Sequence, residues 1–476
     1  MKKSTLTLVL AAAALAVCFG PAWAQTCVPA ICQAANNTAD VHIAFLGATA
    51  PAPSIMQAAT ELYGAAIKDC TNNVRVFKGC RDLDGNAGNG AETCVEALFA
   101  QRNGSCEGVQ ALDRKETSFL VCDPAGGGGS GGTRSIVGLL DENGKQIYAN
   151  FTSSDVRYQL CEPVVTASTI TRPTVFDSTE DPVFVEPFSL IVNRGIETYL
   201  PAASKPSPAD CPYGAGDCVK LDLSISKDQG KDIWGNNNLC DWRWVSPNVT
   251  GTNPLTIGTV IRNRLSGTRR NFNATFLETV SPGQGNIFEA GSGGLVGAVN
   301  TNQWCGNTPS LCGENQSTGA LGGGAVSPAC NASATVISAG QLGGDRLAIS
   351  DNNTPADPFD DYAIRGASGD NYDVLQYDGK YYSKVNIRCG RYDYWSQERM
   401  YYDNDSTPDG SGNPGYYFPP GSIREAAVLE LMARAAADAV SDPTVVANSQ
   451  MLVSRARDGA PVFPSSPYNA TLCAKP

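Results

Sequence analysis

The sequence predicts an α/β fold, in which strands and helices alternate along the chain. Several short β-prone runs are each followed by a small-residue turn and then by a helical pattern. Hydrophobic residues make up 42% of the chain, which is typical of globular proteins. Its 476 residues are more than one hydrophobic core usually holds, so we expect two α/β domains.

The N-terminus has the layout of a secretory signal peptide. Two lysines precede an apolar run from Leu6 to Phe19, and the run ends at the small residues of Ala-Trp-Ala, 22–24. We therefore predict cleavage after Ala24 and a periplasmic or extracellular protein. A lipoprotein is the alternative and would use Cys18, but the bulky Val17 precedes that cysteine.

Cysteine usage fits an oxidising compartment. Loss of Cys18 would leave 16 of the 17 cysteines, enough for up to eight disulfides. A metal site is the alternative, but no CxxC spacing occurs and His42 is the only histidine, so we predict neither a metal nor a cofactor. The sequence leaves the connectivity open, although several close pairs could staple local loops: Cys27/Cys32, Cys70/Cys80, Cys211/Cys218 and Cys312/Cys330.

The acidic balance excludes two classes of partner. Loss of Lys2 and Lys3 with the signal changes the formal net charge from −12 to −14, whereas nucleic acids and anionic membranes require a positive field. A small anion in a recessed pocket remains compatible with this charge, because local donors matter more there. No later segment approaches the roughly 18 uninterrupted apolar residues of a membrane span, so we predict no integral membrane segment.

The first strand, turn and helix occupy residues 41–66. Val41, Ile43 and Phe45 alternate as in a strand, and the turn Gly-Ala-Thr-Ala-Pro follows at 47–51. Ser54 stands where it could cap the helix that comes next. The predicted buried face of that helix consists of Ile55, Ala58, Ala59, Leu62 and Ala66.

A glycine-rich run, "DPAGGGGSGG" at 123–132, would by default be a flexible linker. It leads directly into the apolar segment from Thr133 to Val137, which we predict to begin a helix. The run lacks the Gly-Lys-Ser/Thr of a nucleotide loop, so its backbone N–H groups would serve an anion rather than a nucleotide.

Three later segments complete the pattern. A short strand-like stretch ends at Ser153-Ser154-Asp155, and the β-prone run at 183–193 is long enough to cross between domains. A second strand, turn and helix then spans 253–280, with Ser266 as the predicted cap and a buried stripe formed by Phe272, Phe276 and Val280. Near the end of the chain, Ser422 and Glu425 form a capping box before a helix rich in Ala and Leu.

Three loops now share one design, in which small hydroxyl and glycine residues precede a helix: 47–49, 129–132 and 266–268. A helix N-terminus leaves backbone N–H groups without partners and carries partial positive charge. Each loop alone is more often an ordinary cap, but three of them with an arginine could surround a tetrahedral oxyanion.

Catalysis has little support in the sequence. His42 lies in a strand-like run, and a Ser-His-Asp triad would depend on it alone. The cysteines can all pair, and no local motif selects a pair of carboxylates. We therefore predict a binding protein without catalytic residues.

The sequence resembles the periplasmic phosphate-binding proteins of ABC transporters, a branch of the type II periplasmic binding proteins. The resemblance rests on segments that occur in the family's order: "GATAPAP" at 47–53, "GSGGTRSI" at 129–136, "ANFTSSDV" at 149–156, "EPFSLIVN" at 186–193 and the Arg-x-x-x-Ser-Gly-Thr from Arg262 to Thr268. A weaker likeness, "GRYDYW" at 390–395, falls where the family has its return crossover.

The resemblance implies a type II periplasmic-binding-protein-like fold with hinge crossovers. Domain 1 would combine residues 25–190 with 390–476, and domain 2 would comprise 191–389. The chain is longer than typical members because of Cys- and Gly-rich insertions at about 70–122, 200–250 and 300–340.

The resemblance also implies a single anion site between the domains. Asp155 would be its one acceptor, able to separate protonated phosphate from sulfate, although Asp155 could instead be a helix cap. Arg264 could reach this site or face solvent, and we predict Arg269 and Arg270 to be surface charges. The implied donors are Thr49, the backbone N–H of Ala50 (where the family often has an aromatic residue), Gly129 or Ser130, Arg262, Ser266, Gly267 and Thr268.

We therefore expect an exported solute-binding protein that delivers phosphate or a related oxyanion to an ABC transporter permease. One alternative is a secreted structural or adhesive protein that uses this scaffold with little or no transport role. An exported phosphatase-like enzyme is another, although no catalytic set is visible.

Overall fold

The computed structural model describes a large part of the chain. The described residues are 41–47, 52–66, 68–69, 74–83, 93–101, 104–114, 118–121, 135–140, 146–147, 149–161, 182–205, 221–236, 238–278, 282, 285–289, 291–314, 335–347, 349–350, 362–363, 370–404, 406, 417–442, 444–465 and 473. Several predicted features lie outside them: the signal peptide at 1–24, the Cys27/Cys32 and Cys211/Cys218 pairs, Val280, Thr49, Ala50, Gly129 and Ser130.

The described strands are β1 (Val41–Gly47), β2 (Lys68–Asp69), β3 (Val74–Arg81), β4 (Thr93–Gln101), β5 (Ser118–Val121), β6 (Ser135–Leu140), β7 (Gln146–Ile147), β8 (Phe151–Ser154), β9 (Phe184–Asn193), β10 (Ser224–Ile225), β11 (Leu255–Arg262), β12 (Ile287–Glu289), β13 (Thr335–Gly343), β14 (Ile349–Ser350), β15 (Tyr362–Ala363), β16 (Tyr372–Val374), β17 (Gln376–Tyr377), β18 (Trp395–Tyr402), β19 (Val446–Ala447), β20 (Val453–Arg455) and β21 (Val462–Pro464). One mixed sheet runs in the order β12-β11-β13-β9-β18-β8-β1-β4-β3-β2, with β16 and β19 also paired to β9.

Helices flank this sheet, which makes the fold α/β as predicted. The α-helices are α1 (Ala52–Tyr63), α2 (Ser105–Asp113), α3 (Lys227–Gly230), α4 (Trp242–Val245), α5 (Gly267–Phe272), α6 (Ser292–Asn300), α7 (Lys384–Arg388) and α8 (Ile423–Asp438). Turns of π-helix at Lys231–Asn236 and Asn273–Leu277 extend α3 and α5. Short 3₁₀ turns occur at Tyr158–Leu160, Arg194–Tyr199, Ala202–Ser204, Pro309–Leu311, Gly344–Arg346 and Asn448–Gln450.

The two largest hydrophobic clusters among the described residues lie in two different lobes. Strand β9 passes from the first core at Phe184 to the second at Phe188, and β18 returns from Trp395 in the second to Met400 in the first. The two lobes are therefore joined by crossover strands, as predicted, whereas the domain boundaries stay a prediction. The first core includes Phe45, Ile55, Phe151 and Leu431, and the second includes Leu190, Ile261, Phe272 and Leu295.

Most predicted elements occur, but three details are wrong. Helix α1 ends at Tyr63, so Ala66 of its predicted buried face lies beyond the helix. The segment predicted to begin a helix at 133–137 contains β6, which pairs antiparallel with β5, because its β-branched Ile136 and Val137 favour a strand. Helix α1 begins at Ala52, so Ser54 lies inside its first turn, where its hydroxyl donates to Oδ2 of Asp442 at 2.8 Å. Strand β1 and the capped helices at Ser266 and Ser422 are confirmed.

The disulfides with both partners described are Cys80–Cys94, Cys106–Cys161, Cys305–Cys312 and Cys389–Cys473. The suggested pairs Cys70/Cys80 and Cys312/Cys330 are therefore wrong. Cys80 and Cys94 lie directly opposite each other on β3 and β4, so strand register decides the partner and closeness in sequence does not. Within the described ranges, no helix is long and apolar enough to cross a membrane.

Candidate functional site

Asp155 lies at the centre of the candidate site. It follows the last residue of β8, a strand that pairs with β1 on one side and β18 on the other. Its side chain is buried, and the Ser105 hydroxyl donates a hydrogen bond to Oδ1. A buried carboxylate is expensive unless hydrogen bonds or charges compensate for it, which makes Asp155 a candidate functional group rather than a filler of the core.

Ser105 is brought to Asp155 by helix α2. Strand β4 ends at Gln101, and α2 begins at Ser105 itself. The adjacent Cys106 forms the disulfide with Cys161, which lies just beyond the 3₁₀ turn that follows Asp155. The disulfide therefore ties the start of α2 to the segment that carries Asp155.

The loop after β11 approaches the same place from the second lobe. Its turn is held by the Leu265 N–H, which donates to Oδ1 of Asn263 at 3.0 Å. The Ser266 hydroxyl accepts from the Arg269 N–H at 3.4 Å and so caps α5, and Thr268 is buried in the first turn. The Cys106 N–H donates to the Leu265 carbonyl at 3.1 Å, so this loop is bonded to the start of α2.

Two glycines allow this close approach. A Cβ on Gly267 would overlap Oδ1 of Asp155 and would lie 2.5 Å from Oγ of Ser105. A Cβ on Gly104 would overlap the Leu265 carbonyl oxygen and would lie 2.7 Å from Cα of Ser266. Any side chain at either position would push the two loops apart.

Arg262 supplies positive charge to the site. It is the last residue of β11 and is buried, and its Nη1 donates to Oγ of Ser292 at 2.6 Å. Ser292 is the first residue of α6, which follows the short strand β12. Burial raises the pKa of the nearby Glu289 carboxyl, whereas Arg262 lowers it, so the guanidinium lies within the electrostatic reach of both Glu289 and Asp155.

The Asp155 carboxyl has a raised pKa because it is buried. Burial raises its pKa from 3.8 to about 6, against the lowering effects of the Ser105 hydrogen bond and of Arg262. At neutral pH Asp155 is therefore mostly ionised, but only by a small margin. An ionised carboxylate among donors can accept a hydrogen bond from a ligand and can donate none.

Arg269 and Arg270 correct a prediction, because they are not surface charges. The Arg269 side chain is 0% exposed, forms an ion pair with Glu314, and lies 4.9 Å from the ring centroid of Phe288. Arg270 is half-buried, and its Nε donates to the Arg264 carbonyl at 2.8 Å. Arg264 is buried as well. Glu314, the acid that pairs with Arg269, is 45 residues away in sequence, which is too far for local charge patterning to reveal the pair.

The structure thus brings together Asp155 and Gly267 and places Arg262 within electrostatic reach of Asp155. The predicted donors Thr49, Ala50 and Ser130 lie outside the described residues, so their roles stay predictions. Sequence reasoning missed Ser105 and Ser292. Ser105 had a readable signal, since Gly-Ser follows a β-prone run and precedes Val109 and Leu112 at helical spacing.

Comparison with known proteins finds similarity in backbone alone. No family model and no curated protein matches the sequence. The matching solved structures include a candidate phosphate ABC transporter substrate-binding protein with bound phosphate from Clostridium perfringens, at 12% identity and a TM-score of 0.36, covering 85% of this chain and 99% of that one. They also include an ABC-type phosphate transport receptor from Vibrio cholerae, at 11% identity and a TM-score of 0.37, covering 85% of this chain and 99% of that one. A third is PstS from Borrelia burgdorferi, at 11% identity and a TM-score of 0.30, covering 76% of this chain and 87% of that one. Values this low establish no shared ligand or role.

Proposed function

We propose that this protein is an exported solute-binding protein that holds phosphate or a similar tetrahedral oxyanion between its two lobes. The observation that carries the proposal is the meeting of Asp155, Ser105 and Gly267 at one point, with Arg262 in electrostatic reach. An anion there would be met by a guanidinium, by hydroxyl groups and by the backbone N–H groups of the Ser266–Thr268 turn. Such donors are the groups that recognise oxyanions in proteins.

Asp155 gives the proposed site its selectivity. A carboxylate repels an anion unless the anion carries a proton that it can donate. Hydrogen phosphate and arsenate carry such a proton at neutral pH, whereas sulfate does not. Sulfate would offer Asp155 no hydrogen-bond donor in addition to Ser105 and would add charge repulsion, so we expect the site to reject it.

The wider role follows from this chemistry together with the chain's N-terminus and cysteines. We propose that the signal at residues 1–24 exports the protein and that the mature chain begins at Gln25. The observed disulfides fit an oxidising compartment. The proposed partner is an ABC transporter permease that receives the oxyanion when the lobes open, with hinge motion at β9 and β18.

Titration calorimetry with phosphate, arsenate and sulfate tests the binding function. The protein is first unfolded and refolded with its disulfides intact to strip bound phosphate. We expect phosphate and arsenate to bind and sulfate not to bind at neutral pH. Arg262→Ala should weaken phosphate binding at least about a hundredfold, because it removes a buried charge-assisted donor.

Asp155→Asn tests the selectivity, because the asparagine amide can donate where the carboxylate cannot. We expect this variant to bind sulfate and to lose its preference for phosphate. Asp438→Asn, on α8 in an ion pair with Arg434, is the matched control and should behave like the wild type. If no oxyanion binds the wild type, the proposal is wrong; if both site variants bind phosphate normally, the site lies elsewhere.

A further inference from the structure

A second buried carboxyl, Glu398, lies on the crossover strand beside Asp155. In the antiparallel pairing of β18 with β8, Arg399 is opposite Ser154 and Met400 is opposite Ser153. The next position in this register places Glu398 beside Asp155. Its side chain is fully buried at the junction of the lobes, where β18 also pairs with β9.

Glu398 lacks the compensation that an ionised carboxylate needs. Among the described residues, neither of its Oε atoms has a hydrogen-bond partner of good geometry. The adjacent Arg399 instead bonds to Gln397: its Nη2 donates to Oε1 of Gln397 at 2.7 Å. Ionisation of Glu398 would therefore place a charge in the interior that only the Ser153 hydroxyl and Arg399 offset, and burial outweighs both of them.

The groups around Glu398 come from several elements. Burial raises its pKa well above the ordinary value, and Asp155 and Asp458 raise it further, whereas the Ser153 hydroxyl and Arg399 lower it. On β9, the residue opposite Glu398 is Phe184, which does not titrate. The nearest acid on that strand is Glu186, opposite Ser396, and its Oε1 accepts from the Gly344 N–H at 3.2 Å.

Resting on the function proposed above, we propose that Glu398 stays protonated beside Asp155 while the oxyanion is bound, and that its ionisation at higher pH weakens binding. Two neighbouring acids at one site divide their roles, since the second cannot ionise easily once the first has done so. Asp155 is then the charged acceptor and Glu398 the neutral neighbour. When Glu398 loses its proton, a second negative charge faces the anion and the binding constant falls.

Calorimetry with inorganic phosphate on the full mature chain tests this proposal. The wild type and Glu398→Gln, which mimics the neutral acid, are compared from about pH 6 to about pH 9. The ratio of the two association constants cancels the titration of phosphate itself. We expect the ratio of variant to wild type to rise at least about tenfold across this range, as one added charge at close range requires.

Asp438→Asn provides the control, and its ratio to the wild type should stay constant with pH. Glu398→Met, also uncharged and of similar length, replaces the glutamine variant if that protein does not fold. A constant ratio for the folded Glu398 variant, in a protein that binds phosphate throughout, would overturn the proposal.

Infrared difference spectra of the wild type minus Glu398→Gln give a readout that does not depend on phosphate. A carbonyl band of a protonated carboxyl should appear in the wild type at neutral pH, and its absence would also overturn the proposal. If the band is present but phosphate binds at no pH, the proposed function is refuted, and the control of binding by Glu398 is refuted with it.

Discussion

Asp155→Asn should make the protein more stable at neutral pH, although it removes the central acceptor of the candidate site. Burial raises the pKa of this carboxyl from its ordinary value of 3.8 to about 6. The difference is about two pKa units, each equivalent to ~1.4 kcal/mol, so ionised Asp155 reduces the free energy of unfolding by about 3 kcal/mol. Asparagine fills the same space, still accepts from Ser105, and carries no charge to bury.

The sign of the pH dependence follows from the raised pKa. The folded protein holds the Asp155 proton more tightly than the unfolded chain does, so wild-type stability falls as the pH rises from about 4 to about 6. The asparagine variant lacks this loss. Its advantage over the wild type should therefore be small near pH 4 and should grow to about 3 kcal/mol near pH 7.

Urea unfolding in phosphate-free buffer, with the disulfides intact, measures this advantage at each pH. The Asp438→Asn control should show no comparable growth between the two pH values. Added phosphate should stabilise the wild type more than the asparagine variant, since it binds only the folded state. A variant that is less stable than the wild type at every pH, or whose advantage does not change with pH, would refute the reasoning.

Three further predictions follow from the same contacts. Gly267→Ala should abolish phosphate binding in calorimetry, because its methyl group would overlap Asp155. The control is Gly297→Ala, whose methyl group would meet nothing within 4 Å in the middle of a helix; it should bind phosphate normally and gain roughly 0.5–1 kcal/mol of stability. Normal binding by Gly267→Ala would contradict the described approach of the loops. Glu314→Gln should lower the free energy of unfolding in urea by about 3–5 kcal/mol, because it leaves Arg269 buried without its ion-pair partner, and a loss below about 1 kcal/mol would show that the charge is compensated otherwise. Finally, sulfate should begin to bind the wild type in calorimetry as the pH falls below about 6, where Asp155 is protonated and can donate, and an unchanged rejection of sulfate would exclude Asp155 as the selective group.

The parts of the fold that the sequence predicted correctly are those set by local rules. The alternation in β1, the cap at Ser266 and the cap at Ser422 depend on residues within one turn or one strand of each other. The error at 133–137 has a local cause as well. A glycine-rich run before an apolar segment is compatible with either a helix or a strand, and the β-branched residues of that segment decided for the strand.

Long-range pairing explains what the sequence could not predict. The disulfide partner of Cys80 depends on the register of β3 against β4. In the same way, arginine is a residue type that usually lies on the surface, and only the fold brings Glu314 to Arg269. Charge patterning reveals pairs within about one helical turn, and partners tens of residues away are set by topology.

The position of Asp155 could be predicted from its place after a short strand, but its chemistry could not. Its raised pKa depends on burial, on Ser105 from a helix that the sequence reasoning overlooked, and on Arg262 from the other lobe. Ser105 and Arg262 are more than 45 residues from Asp155 in sequence, so only the fold brings them to the carboxyl. A motif read along the chain therefore identifies the candidate acceptor, whereas the proposed selection between phosphate and sulfate depends on how tightly the lobes enclose that carboxyl. The effect of Asp155 on the free energy of unfolding and on anion selectivity, both measured against pH, therefore tests the candidate site more strictly than phosphate affinity alone.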